Sequence, residues 1–423
     1  MTNCIEPQEI AGHLKPGMTV FIGSCTAEPA ETLDALRGLS DCCAGVRFVC
    51  MTVPGINKID FSTLHPEAKS TAFFALPENR ENIANGRIDF LPMQYRAVYT
   101  YLERDVDIDM AIVQLPEPDV DGTMSLGVTV DFLPAVLDKA KIIVGEINDQ
   151  QPAPKGSPTM RLDQLDLVVK CSRAVTTVPV PRMNGTVLAI AGHVADLIND
   201  GDCLQTGIGA IPSATLAALF DRNDLGFHSG MLADGAMALI KAGNANGAAK
   251  NIDKGQAVFG ATLGSAELIE WAGQAENLLF RPVTYTHDTD VVRRNDNFVS
   301  INSALQVDLF GQVNADMLDG AQISGTGGSV DLMRSAALSK GGRSILALNA
   351  TAVKGSLSRI IPALPANTAA TALRTDIDYV VTEYGAKRIR HLPFHARAEA
   401  LIELAAPEFR DGLKEAWRET NSS

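Results

Sequence analysis

LQTGIGAIPSATLAALFDRNDLGFHSGMLADG, residues 204–235, carries the signature of a strand, a glycine loop and a helix in the middle of the chain. A short apolar run ends in Gly207-Ile208-Gly209-Ala210, and a second apolar segment ends in His228-Ser229-Gly230. Pro212 and Ser213 are residue types favoured at a helix start, so the spacing predicts a helix entered there. Glycines directly after a strand let the backbone pass close to a ligand, and the following helix offers free N–H groups and a partial positive charge. Taken alone, Gly-x-Gly describes a plain tight turn equally well. The neighbours decide.

MTVFIGSCTAEPAETLDAL (18–36) has the same order as GDCLQTGIGAIPSATLAAL (201–219): apolar strand, small-residue turn, proline, then Thr-Leu-x-Ala-Leu. VTVDFLPAVLDKAKIIVGEIN (128–148) pairs with GSVDLMRSAALSKGGRSILALN (328–349), and LDQLDLVVK (162–170) with TDIDYVVTE (375–383). Three matched segments in one order define an internal repeat. The chain therefore reads as two similar α/β halves, residues 1–180 and 185–423. The junction VPVPRMNG (178–185) holds Pro179 and Pro181, which forbid regular helix and favour an extended linker. MAIVQL (110–115), KIIVGEI (141–147), SILAL (344–348) and DYVVTEY (378–384) are near-continuous apolar runs alternating with helical patterns, as expected for parallel or mixed sheets covered by helices on both faces. Residues 396–420 read as amphipathic helix interrupted at Pro407 and packed on the second half.

The 423 residues are 46% hydrophobic and 20% charged, enough to bury a substantial core. A net charge of −14 argues against a nucleic-acid or anionic-membrane surface, both of which need a basic face. An anionic ligand then requires a local cluster of basic groups and backbone N–H groups. The seven cysteines are odd in number and lack metal-ligand spacing, so no metal is expected and small buried hydrophobes in a reducing cytoplasm are. No signal peptide opens the sequence and no apolar run is long enough to span a bilayer; a cytoplasmic protein is expected.

A second glycine loop, Gly325, Gly327 and Gly328 in SGTGGSVDLMRSAALSKGGRS (324–344), leads into a helix from about Ser329 and is able to surround an anion or a developing oxyanion with N–H groups. Lys340, Arg343, Lys354 and Arg359 follow and are candidates for phosphate. Glu28 stands at the mouth of the first-half turn, where a carboxylate either serves a site or complements the helix dipole. His228 precedes the break at Ser229-Gly230. A Gly-x-Gly-x-x-Gly nucleotide loop is excluded by Pro212 in the third glycine position.

AEP (27–29), EIND (146–149), LQTGIGAIPSA (204–214), DNFVSINSALQVDLFGQV (296–313), SGTGGSVDLMR (324–334), LSKGGRSI (338–345), KGSLSRIIP (354–362) and DYVVTEYGAK (378–387) together resemble the acetyl-CoA hydrolase/CoA-transferase family, close to its 4-hydroxybutyrate and butyryl-CoA:acetate CoA-transferases. The resemblance covers nearly the whole chain. It implies two tandem α/β CoA-transferase domains with the acyl-CoA thioester held at their junction, and homo-oligomers. Coenzyme A is implied as substrate, with no permanently bound cofactor and with a carboxylate as a further partner. Gly207, Ile208, Gly209 and Ala210, with Gly325, Gly327, Gly328 and Lys354, are implied to line the CoA site.

One departure stands out. Where these enzymes have a glutamate after His-Ser or His-Thr, this chain has Gly230. That glutamate is the family nucleophile, which carries CoA as a glutamyl thioester. Asp234 matches the family's own Asp-Gly that follows, so it is not a relocated replacement. The expectation is hydrolysis of a small or medium acyl-CoA, with a water in the vacated space oriented by Glu28 or another carboxylate. A transferase or lyase without an enzyme-bound intermediate, and an inactive CoA-binding protein, are the alternatives.

Overall fold

The structure, a computed structural model, describes residues 3–420. Eight strands build one sheet: β1 (Asn3–Cys4), β2 (Thr19–Ile22), β3 (Arg47–Cys50), β4 (Lys69–Ala72), β5 (Ile88–Phe90), β6 (Met110–Leu115), β7 (Ile142–Asn148) and β8 (Leu167–Cys171). Their order is β1-β8-β7-β6-β2-β3-β4-β5, and every neighbouring pair is parallel. Six strands build a second large sheet, beside several sheets of two or three short strands: β9 (Cys203–Thr206), β10 (Gly226–Phe227), β11 (Phe298–Ser303), β12 (Arg343–Ala347), β13 (Tyr379–Thr382) and β14 (Gly385–Arg388). They run β10-β9-β11-β12-β13-β14, parallel except for the antiparallel last pair.

The internal repeat has a physical counterpart. β2 and β9 carry the first matched segment, β7 and β12 the second, β8 and β13 the third. In each sheet they occupy the same places, with β6 or β11 between the second and the first. Parallel strands need crossover connections, and the helices that supply them cover the faces. This is why all six residues of Met110–Leu115 are buried and the run is apolar apart from Gln114.

Two compact units emerge. The first comprises Met1–Pro179, Val258–Thr286 and Ile323–Gly327; the second comprises Val180–Ala257, His287–Gln322 and Gly328–Ser423. In the first unit, helix α1 (Ala30–Gly38) buries Leu33 and Leu36 with Val20, Ile22, Phe48, Met110 and Val169. Truncating either leucine to alanine removes core volume and costs roughly 2–5 kcal/mol. Helix α2 (Tyr95–Arg104) buries Val98, Tyr99 and Leu102.

In the second unit, helix α3 (Gly185–Ala195) follows the proline-containing junction and is capped by Asn184, whose side chain accepts from the Val187 N–H at 2.9 Å. Helix α4 (Ala210–Ala217) begins two residues earlier than the Pro212 start predicted from the sequence, because Gly209 with φ +110 serves as its N-cap. Pro212 then sits at the third helical position, where its missing N–H would have had no intrahelical partner. Helix α5 (Ser329–Leu338) starts at the second glycine loop. Helices α6 (Phe394–Leu404) and α7 (Pro407–Thr420) break at Pro407 as expected and pack Leu401, Leu404, Leu413 and Trp417 into the core around β12 and β13.

Candidate functional site

In the second unit, the loop after β9 leaves its backbone open. A Cβ placed on Gly207 or on Gly209 would meet nothing within 4 Å, and the intervening Ile208 is 46% exposed. Ala210 is the first residue of α4. The polar residues at the inner ends of β9 and β11 are committed to each other: Ser300 Oγ donates to Gln205 Oε1 at 2.7 Å, and Asn302 Nδ2 donates to Gln205 Oε1 at 3.1 Å and to Ser300 Oγ at 2.8 Å. Buried polar side chains in a sheet must pair in this way or forfeit their hydration. Nothing in the one-dimensional pattern of VSINS announces that network.

After β10 the chain enters His228-Ser229-Gly230. His228 and Ser229 are fully buried, the His228 N–H donates to Leu204 O at 3.1 Å, and Ser229 Oγ donates to Thr206 O at 3.2 Å. Gly230 faces an imidazole that the sequence did not point to. A Cβ built on Gly230 would lie 2.6 Å from His287 Cε1 and 2.9 Å from its Nε2. A Cβ on Gly328 would lie 2.3 Å from both Cδ2 and Nε2, so both glycines abut the Nε2 edge of the ring. The His287 ring thus occupies the space that side chains at 230 and 328 would need. His287 is 4% exposed, and burial, with His228 adding to it, pushes its imidazole down to about 3, so it is neutral at physiological pH.

The remaining basic candidates separate by role. Lys354, with φ +54, is exposed at a hairpin tip next to Val353, itself at φ +48. Lys340 is exposed. Arg343 instead serves the fold: its guanidinium pairs with buried Asp202 and donates to Leu197 O at 2.7 and 3.0 Å. Arg359 is partly buried, donates to Ala304 O at 3.5 Å and is attracted by Glu383.

In the first unit, the turn after β2 places Cys25 at φ +58 with its N–H donating to Asn57 Oδ1 at 3.1 Å, while Asn57 Nδ2 donates back to Cys25 O at 3.3 Å. Burial pushes the Cys25 thiol up to about 12, so it is no ready nucleophile. Glu28 follows, and its backbone carbonyl accepts from Gln114 Nε2 at 2.8 Å. The helix-capping carboxylate is Glu146 of the EIND motif, which accepts from Thr32 N and Thr32 Oγ1, both at 2.7 Å. Glu28 is thereby relieved of the capping role that its sequence position allowed. Gly325 and Gly327 belong to this unit. Ser324 O accepts from Ala75 N at 3.1 Å, Gly327 O accepts from Tyr95 N at 3.0 Å, and Gly327 has φ +60.

Burial raises Glu28 from an ordinary value of 4.5 to about 7, with a hydrogen bond to Asn57 and the Arg173 charge opposing only part of that. An acid whose folded pKa is raised carries no penalty below the unfolded value; the penalty grows as pH rises and is complete above about 7. At about 1.4 kcal/mol per pH unit, Glu28→Gln is expected to stabilise the protein by up to about 3 kcal/mol at pH 8 and by little at pH 4.5. Urea unfolding of both proteins at the two pH values checks this, and a gain independent of pH would contradict it.

Among the described residues no group of three or more His, Cys, Asp or Glu is placed to hold a metal ion, and no helix is long and apolar enough to cross a membrane.

The chain matches the acetyl-CoA hydrolase/transferase N-terminal domain over residues 2–179 and the corresponding C-terminal domain over residues 264–417. It is 35% identical over 400 residues to 4-hydroxybutyrate coenzyme A transferase of Clostridium kluyveri, covering 94% of this chain and 93% of that protein. It is 34% identical over 431 residues to butyryl-CoA:acetate CoA-transferase of Anaerostipes caccae, covering 96% and 95%. The solved structure of RipA from Yersinia pestis is similar with a TM-score of 0.93 at 32% identity, covering 99% of this chain and 97% of that one. With both domains matched in tandem, and with relatives that include CoA-transferases and acetyl-CoA hydrolases, this chain belongs to the acetyl-CoA hydrolase/transferase family and is an enzyme of acyl-CoA thioester chemistry.

Proposed function

We propose that the protein hydrolyses the thioester of a small or medium acyl-CoA. The observation that carries this reading is the absence of any side chain at Gly230 together with the His287 ring packed against it, which leaves no carboxylate there and no room for one. Without that carboxylate no glutamyl thioester forms, and water becomes the acceptor. The open backbone at Gly207 and Gly209 supports a CoA-contacting role for Gly207–Ala210. Gly325, Gly327 and Gly328 are proposed as a second CoA-contacting loop, Lys354 as a partner for its phosphates, and Glu28 and His228 as site residues. The sequence halves 1–180 and 185–423 are proposed as the two repeat-derived domains. Seven free cysteines support a reducing, cytoplasmic setting, and homo-oligomers follow from the family resemblance.

A second reading, CoA transfer without a glutamyl intermediate, is favoured by the names of the relatives, which describe CoA-transferases. Incubation with a panel of short and medium acyl-CoAs, with and without acetate, separates the two. Free thiol released at a rate independent of acetate is the expected result. Exchange of the CoA ester between acids with no free thiol would overturn hydrolysis in favour of transfer.

A further inference from the structure

We propose that Asp131 is the catalytic base of the hydrolysis, drawing a proton from a water held in a small cavity at the carboxyl ends of β2 and β6. From β2 the chain runs outward through β3, β4 and β5, then returns to the other side of β2 and runs outward again through β6, β7 and β8. The winding therefore reverses between β2 and β6, and an open parallel sheet leaves a crevice for its ligand at that point. Gly23, the first residue past β2, and Gln114, near the end of β6, line the cavity together with Asp131. The cavity leaves about 20 Å³ to the centre of a water molecule. One water needs roughly 10–15 Å³.

Asp131 is 8% exposed, and its Oδ1 has no hydrogen-bond partner among the described residues. A carboxyl oxygen buried in this way calls for a water, and Ser24 and Thr129 in the same wall carry hydroxyls that bring the polar groups to the roughly three that a held water takes. Burial raises the Asp131 carboxyl from an ordinary value of 3.8 to about 7, so near neutral pH it is able both to accept a proton and to return it. Its titratable neighbours Cys25 and Tyr95 are themselves raised by burial, the thiol to about 12, and stay uncharged. Tyr95 also ties the cavity to the loop proposed to contact CoA: its N–H donates to Gly327 O at 3.0 Å, and its ring centroid lies 5.1 Å from that of Phe132, which lines the cavity. The water oxygen attacks the thioester carbonyl carbon while one of its protons passes to the Asp131 carboxylate. The tetrahedral adduct collapses, the carbon–sulfur bond breaks, and Asp131 returns the proton to the departing CoA thiolate, giving a carboxylic acid and free CoA.

This inference rests on the hydrolase reading, and the test separates them. Wild-type thiol release from acyl-CoA tests the reading; its absence across the panel overturns both. Given that activity, the wild-type kcat is expected to rise with pH through about 7, as the base form of Asp131 accumulates. Asparagine has nearly the volume of aspartate and tolerates the same backbone, here at φ +22. Asp131→Asn is expected to lower kcat at least about 100-fold, to abolish that rise, and to change KM and CoA binding less than about threefold. Glu28 is also raised to about 7, so the rise is assigned by comparison: it is expected to persist in Glu28→Gln, whatever the level of activity there. A wild-type kcat that is flat between about pH 5.5 and 8.5 would overturn the proposal without any variant. So would an Asp131→Asn protein that keeps its kcat or its pH rise, with hydrolysis left standing. Equal losses in CoA binding and turnover would reduce Asp131 to a structural role.

Discussion

Gly230→Glu is expected to destabilise the protein by about 3 kcal/mol and to gain no transferase activity. Its Cβ alone would come within 2.6 Å of His287 Cε1, and the rest of a glutamate side chain would have to pass through the ring. The imidazole has no easy retreat, because the same ring edge rests against Gly328 and the residue is 4% exposed. Overpacking of this kind costs roughly 1–3 kcal/mol through forced side-chain and backbone shifts, and a buried carboxylate adds its own desolvation. The double variant Gly230→Glu/His287→Ala removes the obstacle. Its stability is expected to exceed that of Gly230→Glu, giving a coupling of about 1–3 kcal/mol in a double-mutant cycle by urea unfolding. Additive effects would show that the two side chains do not compete for one space. If the double variant also gains acid-dependent CoA exchange, the remainder of the site is competent for transfer.

The other large effect is expected at Gly325. An alanine there would place its Cβ 2.1 Å from the carbonyl oxygen of Phe73 and 3.0 Å from the ring of Phe74. A backbone oxygen cannot rotate aside as a side chain does. The loop must move, straining the hydrogen bonds from Ala75 N to Ser324 O and from Tyr95 N to Gly327 O that hold it on either side. Gly325→Ala is therefore expected to cost about 3 kcal/mol, near the upper end for overpacking. Gly207→Ala is the matched control. Open space surrounds its Cβ, so its stability is expected within about 0.5 kcal/mol of wild type while CoA binding weakens. Urea unfolding and calorimetric titration with CoA read both. Equal stability of the two variants would contradict the close approach at Phe73.

Much of the architecture was legible in one dimension because it depends on local periodicity and on order along the chain. The Thr-Leu-x-Ala-Leu segments at 32–36 and 215–219 mark α1 and α4, which follow equivalent strands of two sheets. Apolar runs such as Met110–Leu115 identify strands covered on both faces, and Pro407 breaks the final helix where the ring cannot accept a preceding turn. The start of α4 was displaced by two residues because Gly209, at φ +110, takes the cap position that Pro212 suggested.

The residues around the proposed chemistry divide differently. Sequence by itself determined that position 230 lacks a side chain, that two glycine loops precede helices, and that the chain is acidic with scattered cysteines, because identity and spacing are properties of the chain alone. Only the tertiary structure decided what fills the room beside Gly230, since His287 lies far along the chain and reaches it by the folding of an intervening segment. It likewise decided that Glu146, not Glu28, caps α1, that Arg343 is held by Asp202 and Leu197, and that Gln205, Ser300 and Asn302 satisfy one another. Each of these is a contest among several side chains for one partner or one space, and burial, which no residue carries in its name, settles the winner.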